Sequence, residues 1–227
     1  MKKITILIPV FNEYKFLNEI LKKVESIDFQ LEKEIIIIDD FSTDGTRDLY
    51  PEIEHKVLLH EKNQGKGAAL RTGLKEATGD IIIIQDADLE YNPEDYIPLV
   101  ELVKNNEADV VYGSRLSNKS NKENFLLLSY LANQTLSFLT RILFKTNVTD
   151  METCYKVFKA NIIKNINIKS NRFDFEPEIT AKILKQKIRY KEIPISYNAR
   201  TEDEGKKIGW KDGLQAVLTL FKYRFFD

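Results

Sequence analysis

Five short runs, KITILIPV (3–10), EIIIIDD (34–40), KVLLHE (56–61), DIIIIQDAD (80–88) and ADVVYGSR (108–115), are apolar almost throughout instead of alternating. A strand with one wet face alternates polar and apolar residues, so strands like these must be covered on both sides. Helical periodicity fills the gaps. EYKFLNEILKKVES (13–26) puts Phe16, Leu17, Ile20, Leu21 and Val24 on one face, and GKGAALRTGLKEATG (65–79) closes at Gly79. STDGTRDLY (42–50) has turn and cap chemistry leading into a short helix that Pro51 ends, and Pro93 starts a helix reaching Lys104. This alternation predicts an α/β fold with a central, mostly parallel sheet flanked by helices. Ligands are then expected beyond the carboxyl ends of the strands.

The second half is less regular. FLLLSYLANQTLSFLTRILF (125–144) reads as an unusually apolar helix, FEPEITAKILKQK (175–187) as an amphipathic one and IRYKEIPISY (188–197) as a strand. SNKSNKEN (117–124) and EDEGKKIGWKDG (202–213) read as charged loops, and LQAVLTLFKYRFF (214–226) as a closing helix. One domain over 1–213 is expected, followed by an apolar and basic helix over 214–227 suited to a membrane surface.

Polar residues recur at the strand ends: Asn12 and Glu13, Asp39 and Asp40, Asp86 and Asp88, Ser114 and Arg115. Asp86 and Asp88 are two apart, so in an extended chain their side chains project on one side. Carboxylates held together in a cleft repel unless a cation joins them, and a hard ion such as Mg²⁺ or Mn²⁺ binds through one or two carboxylates plus phosphate oxygens. Asp40 is expected to meet a nucleotide, whereas Ser42, Thr43, Asp44 and Gly45 suffice to explain a turn. NQGKGAAL is neither a P-loop nor a dinucleotide fingerprint, since no Ser or Thr follows Lys66 and Leu70 stands where the last glycine belongs. A helix N-terminus with a lysine still favours anions. Arg115, Arg200, Lys206 and Lys207 are candidate phosphate ligands; Glu176 and Glu178 are explained by the dipole of the helix they begin, or serve as a base.

Composition narrows the field. The net charge of −1 conceals 15 Lys and Arg against 23 Asp and Glu in residues 1–120, and 19 against 12 in the remainder. The acidic half suits cation binding and the basic half phosphate or an anionic membrane. With 2 His and 1 Cys, zinc lacks its usual ligands and no disulfide framework exists, which fits a reducing compartment. The opening lacks the pattern of a secretory leader, no run of eighteen apolar residues occurs, and near-neutral charge without a binding motif argues against nucleic acid.

IPVFNE, IIIIDDFSTDGT, NQGKGAALRTGLKEATGDIIIIQDADLEYNP and VVYGSR, in this order and spacing, resemble the inverting family 2 glycosyltransferases of the GT-A fold. The likeness is strongest to polyprenyl- and dolichyl-phosphate mannosyl and glucosyl synthases, to which TDMETCYKVFK, FEPEI and ARTEDEGKKIGWKDG also point. The resemblance implies a nucleotide-diphosphate sugar donor of the UDP-glucose or GDP-mannose type, a divalent cation and a polyprenyl or dolichyl phosphate acceptor. It implies that Pro9, Glu13, Asp40 and Lys66 lie along the nucleotide, and that Asp86 and Asp88 hold the metal with Glu90 beside them. Arg115 would meet the acceptor phosphate, and Arg200 with Lys206 the donor diphosphate. Peripheral attachment to the cytoplasmic face of a membrane is expected, with a small membrane subunit or a second copy as further partners. Two alternatives stand: a sugar or protein hydroxyl acceptor, which would need Glu176 or Glu178 as base, and a nucleotide-sugar-binding subunit without turnover.

Overall fold

The computed structural model describes residues 1–200 and 210–226. Its strands are β1 (Lys3–Val10), β2 (Glu32–Asp39), β3 (Lys56–Leu59), β4 (Ile81–Ile84), β5 (Val110–Ser114), β6 (Lys156–Lys159) and β7 (Tyr190–Pro194). Its helices are α1 (Leu17–Ser26), α2 (Lys66–Glu76), α3 (Tyr96–Lys104), α4 (Leu127–Phe144), α5 (Ala160–Asn165), α6 (Phe175–Lys185) and α7 (Trp210–Phe225). The strands form one sheet in the order β3-β2-β1-β4-β6-β5-β7, parallel except that β6 runs against both β4 and β5.

The apolar runs are buried as their composition demands. Ile81 to Ile84 are at most 3% exposed, and each such side chain contributes roughly 1.5–3 kcal/mol by leaving water. Pro9 lies inside a central strand without breaking its ladder: the pairing of β1 with β4 ends at Leu7 and Ile84, before the missing N–H would be needed.

Several local expectations shift. The antiparallel strand β6 and helix α5 went unpredicted, because KVFK is short and carries a fully buried Lys156 in place of a continuous apolar run. Helix α1 starts at Leu17, not residue 13, because Asn12 adopts a left-handed φ of 56° and Glu13 ends up in a turn whose carbonyl accepts Phe16 N–H and Leu17 N–H. The segment after β2 forms a 3-10 turn, Thr46–Glu52, with Pro51 inside it. Strand β4 stops at Ile84, so Asp86 and Asp88 stand on the turn beyond it and not on an extended chain.

Helix α7 begins before the expected boundary at 213 and packs on α4 and α6, where Ala216 and Leu220 join Leu136, Val148 and Met151 in a second apolar cluster. Helix α4 is amphipathic in the reverse sense. Asn133, Ser137 and Thr140 are buried, while Leu127, Leu128, Leu131, Phe138 and Ile142 are 49–82% exposed. Among the described residues no helix is long and apolar enough to cross a membrane.

Candidate active site

From β1 the chain builds β2 and β3 to one side, whereas β4 joins β1 on the other, so the strand order reverses between β1 and β4. In a parallel sheet that reversal splays the connecting loops and opens a crevice beyond the carboxyl ends. The loops there are tightly set. Asn12, Phe41 and Leu89, one after each of β1, β2 and β4, hold left-handed backbones at φ 56°, 70° and 61°. Non-glycine residues take that conformation only where surrounding bonds enforce it. Asn12 shows how: its N–H donates to Ser42 Oγ, and its Oδ1 accepts Thr43 N–H.

The turn after β4 rests on a stack of tyrosines. Tyr155 packs between Tyr91 and Tyr96 with ring centroids 4.5 and 4.2 Å away, and the Tyr96 and Tyr155 hydroxyls both donate to Gln85 Oε1. On this support Asp86 receives Lys66 Nζ at 2.8 Å, and the same ammonium reaches Glu176 Oε1 at 2.9 Å. Asp88 faces Arg200 Nη2 at 3.4 Å, while Arg200 Nη1 lies 3.0 Å from Glu13 Oε2. Burial acts to raise the Asp86 carboxyl, but the Lys66 ammonium outweighs it and the group stays below the usual range. For Asp88 the more distant Arg200 offsets less. Burial first, and then the Asp86 and Glu90 charges, push it up to about 7.

Glu13, Asp86, Asp88 and Glu176 are thus four carboxylates sharing Lys66 and Arg200. Among the described residues no three acids, histidines or cysteines converge as a ready metal cage. An all-oxygen pair with excess negative charge nevertheless fits a hard divalent ion whose remaining ligands come from phosphate and water.

Glu13, Lys66, Asp86, Asp88 and Arg200 are therefore brought together as the sequence predicts. Others are placed differently. Glu90, expected beside the metal, turns away after Leu89; its carboxylate accepts Arg200 N–H at 3.0 Å and Tyr197 O–H at 3.0 Å. Asp40 is 3% exposed and saturated from within, accepting Gln64 N–H, Gly65 N–H and the His60 ring, so it fixes the loop before α2 and does not present itself to a base. Nor is the N-terminus of α2 an open anion cradle, since Ala68 N–H donates to Asn171 O. Arg115 lies inside the protein, its Nε and Nη2 on Asp150 at 2.8 Å each, ringed by Tyr91, Phe125 and Tyr197. Glu178 is spent on Lys169 N–H, Ser170 N–H and Lys182, which removes it as a base. Pro9 stays in its strand near the crevice, and Lys206 and Lys207 lie outside the described residues.

Two residues given no role from sequence join the site. Lys156 is fully buried, donates to the Met151 and Thr153 carbonyls, and interacts with both Glu176 and Glu152. Glu152 in turn senses Arg115. Acidic and basic side chains consequently alternate in a row that leads inward from the acid pair: Asp86, Lys66, Glu176, Lys156, Glu152, Arg115, Asp150. The signal available was a lysine and a glutamate inside METCYKVF, which an exposed turn would explain as well.

The profile of Glycosyl transferase family 2 matches residues 5–166. The UDP-N-acetylglucosamine--dolichyl-phosphate N-acetylglucosaminyltransferase of Methanococcus voltae is 29% identical over 216 residues, 86% of this chain and 85% of that protein. The dolichol-phosphate mannosyltransferase of Pyrococcus furiosus is 27% identical over 97% of this chain and 61% of that protein. Glucosyl-3-phosphoglycerate synthase from Mycobacterium tuberculosis, solved with Mn²⁺, uridine diphosphate and phosphoglyceric acid, superposes with a TM-score of 0.76 over 100% of this chain and 80% of that one, at 18% identity, a likeness of fold alone. With a family match over most of its length and a reversal-point crevice of the kind its sheet predicts, the chain belongs to glycosyl transferase family 2 and is a glycosyltransferase of the GT-A fold.

Proposed function

We propose that the enzyme moves a hexose, with inversion, from a nucleotide-diphosphate sugar to a polyprenyl or dolichyl phosphate, using Mg²⁺ or Mn²⁺. The observation that carries this reading is the half-buried pair Asp86 and Asp88 at the strand-order reversal, each facing a side-chain cation that a diphosphate would attract. The names of the two curated relatives, both dolichyl-phosphate transferases, support the acceptor, and the Mn²⁺ and uridine diphosphate of the structural neighbour support the donor class.

When bound, the divalent ion supplies positive charge to the leaving diphosphate. Lys66 and Arg200, already at the acid pair, add charge where it develops on that leaving group, and Lys206 is proposed to do so as well. The nucleophile is an oxygen of the acceptor phosphate. With a second pKa of about 6, a phosphate monoester is largely ionised at neutral pH, so the bond to the sugar forms as the bond to the diphosphate breaks without a protein base. Arg115, locked by Asp150, would orient the acceptor with the Nη1 edge that faces away from that pair. A lipid acceptor also gives the reversed amphipathicity of α4 a purpose. Its exposed leucines and Phe138, next to Phe221 and Phe225 of α7 and the exposed Arg141, Lys145, Lys222 and Arg224, suit an anionic bilayer surface.

One observation favours a hydroxyl acceptor instead: Glu176 Oε2 is buried without a hydrogen-bond partner, as an available base would be. Incubation with radiolabelled UDP- and GDP-sugars plus a short polyprenyl phosphate, followed by extraction into organic solvent, decides. Lipid-linked label that vanishes with chelator and in Asp86→Ala/Asp88→Ala is expected. Label transferred only to hydroxyl acceptors, or transfer indifferent to chelator, sinks the proposal.

A further inference from the structure

The sugar being transferred must lie between the donor diphosphate and the acceptor. On the proposed function those sit at Asp86 and Asp88 and toward Arg115, the two ends of the alternating row of charges. Its middle is occupied by Glu176, Lys156 and Glu152. Three oxygens in this stretch are enclosed and without partners: Glu176 Oε2, Glu152 Oε1 and Thr153 Oγ1. Thr153 is fully buried and Glu176 is 4% exposed; part of Glu152 reaches the surface, but its Oε1 does not. Buried polar atoms are almost always paired, because each one left alone costs on the order of 1–3 kcal/mol.

The kind of partner these atoms lack is informative. Glu176 accepts as a carboxylate; Glu152, which burial and then the Glu176 charge keep protonated below about pH 8, can accept or donate, as can the Thr153 hydroxyl; and the lysines between them already have acceptors: Lys66 on Asp86 and Glu176, Lys156 on the Met151 and Thr153 carbonyls. The unmet requirement is for uncharged groups that can both donate and accept. A hexose has several hydroxyl groups of that character on adjacent carbons, whereas a second cation is made superfluous by Lys66 and Lys156.

We propose that Glu152, Glu176 and Thr153 hydrogen-bond to hydroxyl groups of the transferred sugar, and so set which hexose the enzyme takes. This deepens the proposed function and rests on it. The carboxylates bind the sugar in the ground state, a role separable from that of a base, which would act only in turnover.

Isothermal titration in the presence of Mn²⁺ tests the assignment. UDP and GDP are titrated first, then UDP-glucose, UDP-N-acetylglucosamine and GDP-mannose, into wild type, Glu152→Ala, Glu152→Gln and Glu176→Gln. A hydrogen bond between a sugar hydroxyl and an uncharged carboxyl group is worth roughly 2- to 13-fold in affinity. Glu152→Ala should therefore weaken the preferred sugar nucleotide by about that factor relative to its bare nucleotide, which should keep its affinity. Glu152→Gln, of the same shape and likewise able to donate and accept, should recover most of the loss, and Glu176→Gln should fall between. An unchanged ratio of sugar-nucleotide to nucleotide affinity in all three variants overturns the inference and leaves those oxygens to ordered water. Equal loss of both ligands overturns it too, since the change would then act through Lys66 and the acid pair. If wild type binds no nucleotide and no sugar nucleotide, the proposed function itself fails, and the assignment fails with it.

Discussion

Separating Arg115 from Asp150 should reveal how much of the protein's stability depends on one buried pair. Asp150 is fully buried and accepts four hydrogen bonds: Arg115 N–H at 2.9 Å, Nε and Nη2 at 2.8 Å each, and Asn133 Nδ2 at 2.9 Å. Replacing Arg115 by Met strands the carboxylate; replacing Asp150 by Asn leaves the guanidinium uncompensated among Tyr91, Phe125 and Tyr197. Removing one partner of a buried ion pair costs about 3–5 kcal/mol. For a chain of this size that corresponds to a fall in melting temperature of about 6–20 °C. The double variant Arg115→Met/Asp150→Asn strands no charge, and Met packs well against aromatic rings. Its cost should fall short of the summed single costs by about 2 kcal/mol or more, within the range of coupling seen for residues in one network. Urea denaturation of the four proteins, with slopes compared for two-state behaviour, completes the cycle. Single losses below about 1 kcal/mol, or strict additivity, would refute the view that this pair sets the end of β5 and the direction of Arg115.

Three further outcomes are expected. Gly67→Ala places a Cβ 2.5 Å from Ser170 O, so α2 must shift and carry Lys66 with it; thermal stability and nucleotide affinity should fall together, and loss of neither would show the contact to be soft. Burial first, then Glu176, push Glu152 up to about 8, so between about pH 4.3 and 8 the folded protein keeps a proton that the unfolded chain gives up, and wild-type stability drains away as pH rises through that window. Glu152→Gln lacks this proton, so its stability relative to wild type should climb by up to about 1.4 kcal/mol per pH unit and level off above pH 8; a pH-independent difference in denaturation midpoints argues otherwise. Leu128→Glu and Phe138→Glu alter exposed positions of α4 and should change stability by no more than about 0.5 kcal/mol while lowering sedimentation with anionic vesicles, and unaltered sedimentation counts against a membrane-facing α4.

Much of the scaffold was legible because its signals are local. Four consecutive isoleucines in β4 admit few environments other than a sheet covered on both faces, and acids directly after such a strand are conspicuous. Thr46 and Asp44 likewise make the turn bonds their types suggest. What stayed hidden depends on contacts distant in sequence or on backbone that composition does not announce. Lys66 meets Glu176 across 110 positions, and nothing near either residue marks the other as its partner. Glu90 leaves the acid pair because Leu89, a residue with no preference for it, adopts a left-handed φ. Asp40 looked like a ligand from its place after a strand, but His60 and the Gly65 N–H lie within its reach only once β3 has formed beside β2. A buried lysine disguises strand β6 in the sequence, and that lysine is tolerated only among the carboxylates and carbonyls that surround it in the fold.

The same contacts explain how acids can await a ligand inside a crevice. Asp86 and Asp88 repel each other, and Glu90 adds to the strain on Asp88. Left alone they would favour opening the turn after β4. Lys66, projecting from α2, and Arg200, whose backbone is tied to Glu90, bring positive charge from two separate elements, so the turn is held from both sides. On the proposed function, Asp86 and Asp88 would hold the metal ion once donor is bound, and Lys66 and Arg200 would turn to its phosphates. After the diphosphate had left, Lys66 and Arg200 would return to the carboxylates, leaving no charge stranded at either stage. A site built only of acids would bind its metal more tightly but would be unstable without it; one built only of cations would hold the product diphosphate too long. The alternating arrangement avoids both, because each charge in the free enzyme already has a neighbour of opposite sign to which it can return.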